Sequence, residues 1–290
     1  MMAMPELILE RAAWRARVLP QAGGLIASLT CAGVPILRTM PPGAISPLDA
    51  ACFPMVPWCN RIAGARFVWE GRAIALLPNF APEPHAIHGH GWQSAWHVAE
   101  QAPDICTLAY HHEAGVAGWP WAYAAQQRVA LSPEGCTITL TLTNHSDTPM
   151  PAGLGLHPYL RRRAESRVRF AAGGIVAVGA DMIPIGEHLP PAQFGDFGAS
   201  DGAGLPARLI DHCYTGWDST AVISDYCGTI TLTARGALHL HLYAPEQPDI
   251  LCLEPVSHLP DALNHNTVGM SLLGPGAQMA LELSISASLA

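Results

Sequence analysis

Two side chains are placed for proton chemistry. His157 sits in GLGLHPYLRRR (153–163), where glycines and apolar residues lead into the histidine and Pro158 restrains the backbone directly after it. An unperturbed imidazole has a pKa of ~6.5, so it gives up or takes a proton near neutrality. Glu254 ends the apolar run Ile250, Leu251, Cys252, Leu253 and precedes Pro255. Burying a carboxylate there is costly unless it is paired, and burial raises its proton affinity toward that of a general base. The same spacing also fits a glutamate that has already left the core at the end of its strand.

Other polar residues interrupt apolar text. Asn60 and Arg61 follow Pro57 and Trp58 in FPMVPWCNRIAGARF (53–67), and Arg61 offers either a surface ion pair or a planar fork of donors. HAIHGHGW (85–92) holds His85, His88 and His90. On an extended strand His88 and His90 share a face and, with a third ligand, could hold zinc. Alternatively, His88 is a donor aimed at a polar small molecule, with Gly89 and Gly91 letting backbone approach closely. His85 and His90 also read simply as hydrogen-bonded loop histidines. His111, His112, His239 and His241 read as surface or strand histidines without a role. Arg161, Arg162 and Arg163 suit a phosphate or sulfonate. A solvated loop is the preferred reading, because alternate residues of a strand cannot all face one site.

The elements that must position these groups are strands. CTITLTLTN (136–144) alternates Thr137, Thr139, Thr141 and Thr143 against Ile138, Leu140 and Leu142, the pattern of a half-buried strand. GTITLTARGALHLHLYAP (228–245) reads as two strands meeting near Arg235-Gly236. RFVWEGRAIAL (66–76) reads as a hairpin turning at Glu70-Gly71. QMALELSISASLA (278–290) alternates again. Capped amphipathic helices are hard to find, and 26 prolines and 27 glycines are spread along the chain, which suits many turns. Loops are expected at 39–48, 78–91 and 184–206. With no repeat and no composition break, residues 1–290 read as one all-β domain.

Of the 290 residues, 50% are hydrophobic and the net charge is −8, so a large core is affordable and disorder is not expected. No basic stripe exists to neutralise a nucleic-acid backbone. No run reaches the ~18 apolar residues of a membrane span. The eight cysteines form no C-x-x-C pair and read as free buried thiols. Charges near the N-terminus argue against a signal peptide, giving the expectation of a cytoplasmic protein.

NRIAGARFVWEGRAIALLPN followed by HAIHGHGW resembles the N-terminal signature of the aldose 1-epimerase (galactose mutarotase) family. GLGLHPYL, DHCYTGWD (211–218) and CLEPVSH (252–258) then follow in the family's order, and VLPQAGGLIASLTCAGVPILR (18–38) is similar to its first strands. The resemblance spans nearly the whole chain. It implies a single large antiparallel β-sandwich with a sugar cleft on one sheet face, interconversion of the α and β anomers of a free aldose, and neither metal nor cofactor. It implies His157 and Glu254 as the catalytic pair, with Arg61, His88 and Asp211 holding the sugar and Asn60 beside them. Trp58 and Trp217 are expected, from residue type, to stack on a sugar ring. GLGLHPYL departs from the asparagine-histidine-rich segment of galactose-active members, and WCNRI and DHCYTGWD point to a bacterial subgroup. A monomer or homodimer is expected, with a small-molecule aldose as partner.

Overall fold

The computed structural model describes residues 5–247, 249–265 and 270–290. Residues 1–4, 248 and 266–269 of the expected domain lie outside the described residues. Alternating β-branched and apolar text folds as read. Among the described residues there is no α-helix, only three-residue 3-10 turns, and no helix is long and apolar enough to cross a membrane.

Two large antiparallel sheets, of eleven and nine strands, carry the chain. CTITLTLTN lies in strand Gly135–Asn144 of the nine-stranded sheet, with Ile138, Leu140 and Leu142 all buried. The 66–76 hairpin forms as expected. Its strands Arg66–Trp69 and Arg72–Ala75 meet at Glu70 (φ 48°) and Gly71 (φ 77°), two left-handed residues as a tight primed turn requires. Strands Gly228–Arg235 and His239–Ala244 both form, but in different sheets, so the turn near Gly236 is a crossing between layers.

Two loop expectations fail: 78–91 holds the short strand Ala86–Ile87, paired with Arg61–Ile62, and 184–206 is not all loop. Within 184–206 the chain forms strand Pro184–Leu189 and the short strand Ala203–Gly204. The first is the outermost strand of its sheet and largely exposed, so it never shows the alternation that burial imposes. All eight cysteines are free and seven are buried.

Period-2 geometry separates two faces of the eleven-stranded sheet. Leu156, Leu240, Leu242, Leu251 and Leu253 point inward and join one apolar cluster with Ile138, Leu281 and Leu283 of the other sheet. Each such side chain, fully buried, contributes on the order of 1.5–3 kcal/mol. Their neighbours Tyr159, Cys213, Cys252 and Val256 point the other way into a second, smaller cluster. The first face holds the fold together. The second is free to carry a site.

Candidate active site

Five adjacent strands build the floor of a cleft on that second face. The ladder pairs Phe53 with His157, His241 with Glu254, and Cys213 with His241. Between strands Gly155–Arg161 and Ile250–Val256 it pairs Gly155 with Val256 and Tyr159 with Cys252. The unbroken register between those pairs sets His157 opposite Glu254. Phe53, His157, Glu254, His241 and Cys213 therefore form one row across the sheet. Pro158 and Pro255 interrupt backbone pairing beside this row, where a proline has no N–H to give.

The cleft has a volume of about 610 Å³. All six residues singled out by sequence line it: Asn60, Arg61, His88, His157, Asp211 and Glu254. His157 Nε2 stands 3.2 Å from Glu254 Oε1, and both side chains are buried. The His157 ring packs against Phe53 (centroids 4.4 Å apart) and Tyr159 (4.7 Å), which themselves stand 6.2 Å apart. The Arg38 guanidinium lies over the Tyr159 ring, 3.7 Å from its centroid. Burial, then the nearby His241, pushes the His157 pKa down to about 3. The expectation that His157 titrates near ~6.5 is thereby corrected. Burial pushes Glu254 up to about 8, with His241 opposing it.

Arg61 forms a two-pronged bond to Glu83, with Nε and Nη2 each 2.9 Å from a carboxylate oxygen. Its Nη1 lies 3.6 Å from Asp211 Oδ2. His241 Nε2 donates to Asp211 Oδ1 at 2.6 Å. Burial works against the charge of Asp211, but His241 and Arg61 outweigh it and its pKa falls. Burial likewise opposes a charge on His241, and Glu254 and Asp211 overcome it, raising His241 to about 10.

His88 reaches the cleft by an unusual backbone. It has φ 58°, followed by Gly89 at φ 71°. A Cβ on Gly89 would stand 1.9 Å from the Val56 carbonyl oxygen, so only glycine fits. The Asn60 N–H donates to His88 Nδ1 at 3.2 Å. Burial holds the ring neutral, so its remaining proton is on Nε2, a donor. Asn60 itself, at φ 55°, accepts the Arg61 N–H on its side-chain oxygen at 2.8 Å.

The shared-face premise of the zinc reading does not survive, because His88 is not extended. His90 turns into the protein interior, stacked on His112 at 4.2 Å. His157, Cys252 and Glu254 do bring donor atoms within 4.8 Å of one another. Cys252, however, is fully buried and, unlike the other two, does not line the cleft. His85 lines the cleft and accepts the Gly64 N–H at 3.0 Å.

Three other expectations are corrected. Trp58 is buried against Trp119, centroids 5.1 Å apart, and Trp217 packs in the main core, so neither lines the cleft. The aromatic surfaces there are Phe53, Phe80, Trp92, Tyr159 and Tyr243. Arg161 to Arg163 are neither a free loop nor part of the cleft. Arg161 and Arg163 approach Asp225 at 3.8 and 3.6 Å, and Arg162 donates to the carbonyls of Pro206 and Pro245.

Sequence reasoning missed His241 and Glu83. The signal for His241 was present: HLHLY sets His241 and Tyr243 opposite Leu240 and Leu242, and the leucines take the core. Glu83 carried no pattern, since a loop carboxylate finds its arginine only in three dimensions.

Residues 9–286 match the family model for aldose 1-epimerase. The chain is 32% identical to YphB, an uncharacterized Escherichia coli K12 protein, over 279 residues that cover 91% of this chain and 92% of that one. A crystal structure of an E. coli K12 protein provisionally described as an aldose 1-epimerase superposes with a TM-score of 0.91 at 28% identity, covering 99% of this chain and 100% of its own. A galactose mutarotase-like protein from Clostridium acetobutylicum shares the fold, with a TM-score of 0.87 at 17% identity and coverage of 98% and 95%. By its sequence over nearly its full length, the chain belongs to the aldose 1-epimerase family.

Proposed function

We propose that this protein is a mutarotase, interconverting the α and β anomers of a free aldose, with Glu254 and His157 as its acid–base pair. The observation that carries this reading is the 3.2 Å approach of His157 Nε2 to Glu254 Oε1 on the floor of a sugar-sized cleft. Mutarotation asks for this pairing. The hydroxyl on C1 must lose a proton while the ring oxygen gains one.

The two groups share one proton. Before a sugar binds it rests on Glu254, whose affinity is raised, beside a neutral His157. Transfer across the pair gives a carboxylate and an imidazolium. A bound sugar favours that form, because its C1 hydroxyl donates to the carboxylate and its ring oxygen accepts from the imidazolium. Glu254 then takes the hydroxyl proton, the C1–O bond to the ring oxygen breaks, and His157 protonates the departing oxygen. Rotation about C1–C2 presents the other aldehyde face, and the reverse transfers close the ring and restore both groups. Arg61, Asp211 and the His88 Nε2–H anchor hydroxyls that do not react, which holds the open chain in place for reclosure.

A phosphorylated or sulfonated sugar finds less support. The cleft cations Arg61 and His241 are already bonded to Glu83 and Asp211, and the 161–163 arginines lie elsewhere. The test is polarimetry or NMR of freshly dissolved α-glucose, α-galactose, α-xylose, α-arabinose and a hexose 6-phosphate, with wild type beside Glu254→Gln. Faster equilibration of a neutral sugar that disappears in the variant supports the reading. Binding without acceleration of any sugar would turn it toward a sugar sensor. Acceleration should persist after dialysis against EDTA.

A further inference from the structure

His241 has no part in the acid–base steps above, yet it is the buried neighbour of Glu254 on the next strand. Its Nε2–H is fixed by Asp211 at 2.6 Å, and Asp211 is braced in turn by Arg61 at 3.6 Å. Cross-strand partners have Cβ atoms ~4.5–5.5 Å apart. The imidazole therefore faces Glu254 from one side while His157 faces it from the other, in the single row described above.

We propose that His241, held as a cation by Asp211, is a positioning residue that offsets the burial of Glu254 and keeps its proton available for exchange with His157. The inference rests on the mutarotase reading for its catalytic meaning, although the electrostatic claim stands without a sugar.

The surroundings leave few other groups for this task. The thiols of Cys59, Cys213 and Cys252 and the phenols of Tyr159 and Tyr243 all have raised pKa values, with burial as the leading cause, so they stay neutral. His88 and His157 are held neutral by burial. Of the remaining charges, Asp211 has the wrong sign, and the Arg61 cation is balanced by its two-pronged bond to Glu83. His241 is also the foremost influence lowering the proton affinity of Glu254 against its burial. Without a nearby cation, an enclosed carboxyl keeps its proton and ceases to be a base.

The charge can be separated from the packing. His241→Gln retains an N–H for Asp211 and loses the cation, while His241→Lys retains a cation. The first measurement uses wild type alone: nitrogen NMR of the histidine rings across pH 5 to 9. His241 should carry both ring protons at neutral pH, and a neutral His241 there would overturn the proposal whether or not any variant folds. The second follows the carboxyl carbon of Glu254, assigned by its loss in Glu254→Gln. Its midpoint should rise in His241→Gln by ~1–3 pH units, the usual effect of one opposite charge at this range. His241→Lys should bring it back toward wild type. An unchanged or lower midpoint in a folded His241→Gln would refute the idea. With an accepted sugar, the alkaline fall in turnover should move upward by the same amount, and turnover at neutral pH should drop. A purely structural role would lower turnover without moving that limb. If wild type accelerates no sugar, the mutarotase reading fails, and the two NMR readouts still decide the role of His241.

Discussion

Two histidine clusters belong to different sheets, one packed in the interior against the nine-stranded sheet and one on the cleft face of the eleven-stranded sheet. In the interior, His90 stacks on His112 at 4.2 Å, His112 stacks on Tyr123 at 4.8 Å, and Tyr110 bonds to His112 Nδ1 at 3.0 Å. In the cleft, His157 and His241 flank Glu254, and Asp211 holds His241. Burial, with the like charge of His112 adding to it, drives His90 down to about 3. At His241 two carboxylates, Glu254 and Asp211, outweigh burial and drive the pKa up to about 10. Residue type and depth are therefore poor guides to function. The presence of a counter-charge decides whether a buried imidazole is inert or ionic.

The comparison is broken most directly by mutation in both clusters. His157→Asn and Glu254→Gln should each lower kcat by ~10²–10⁴-fold while changing sugar binding little. His112→Phe should leave kcat near wild type and instead cost about 1–3 kcal/mol of stability, because Tyr110 loses its partner in a buried setting. Steady-state mutarotation beside urea denaturation would separate the two. Near-normal turnover in His157→Asn would sink the catalytic assignment.

Gly89 is the pivot between the clusters. It follows His88, which turns to the cleft, and precedes His90, which turns to the core. Gly89→Ala would place a methyl 1.9 Å from the Val56 carbonyl at a left-handed φ of 71°. Because both clashing partners are backbone, the loop must move. The expected result is a loss of more than ~1–3 kcal/mol together with a raised KM. Gly33→Ala is the control, since Gly33 has a similar φ of 78° and no atom within 4 Å. It should cost about 1 kcal/mol and leave KM alone. Equal losses in the two variants would show that conformation, not the Val56 contact, fixes the His88 turn.

Much of this arrangement was legible before the fold was seen. Strand text such as 136–144 reads directly because its sheet buries one side chain in two. The six cleft-lining candidates stood out because each breaks apolar text or sits in a motif of the family. What stayed hidden depended on which face of a strand is the outer one. His241 alternates with leucines as plainly as any site residue, but alternation does not say whether its face meets solvent, a second sheet or a carboxylate. Trp58 and Trp217 failed for the converse reason. An indole suits a sugar ring and a core equally well, and the core took both. Strand Pro184–Leu189 was unreadable because an edge strand buries too little to leave a pattern.

The smallest expected effect separates the clusters by acid and alkali. His90 and His157, held at about 3, and His258, at about 4, are neutral in the folded protein. Once unfolded they titrate near ~6.5, so the unfolded chain binds more protons below that pH. Their contribution is full above pH ~6.5 and is lost as pH falls toward the folded values, with a slope of ~1.4 kcal/mol per pH unit for each proton taken up. His241 has the opposite sign. Its folded pKa of about 10 lies above the unfolded value, so its contribution is full below pH ~6.5 and is lost as pH rises toward 10. Urea denaturation at pH 5, 7 and 9 should thus show His90→Phe flattening the acid side only and His241→Gln flattening the alkaline side only. A His241→Gln curve that keeps the wild-type alkaline slope would mean that the cleft histidine is no more charged than its interior counterpart.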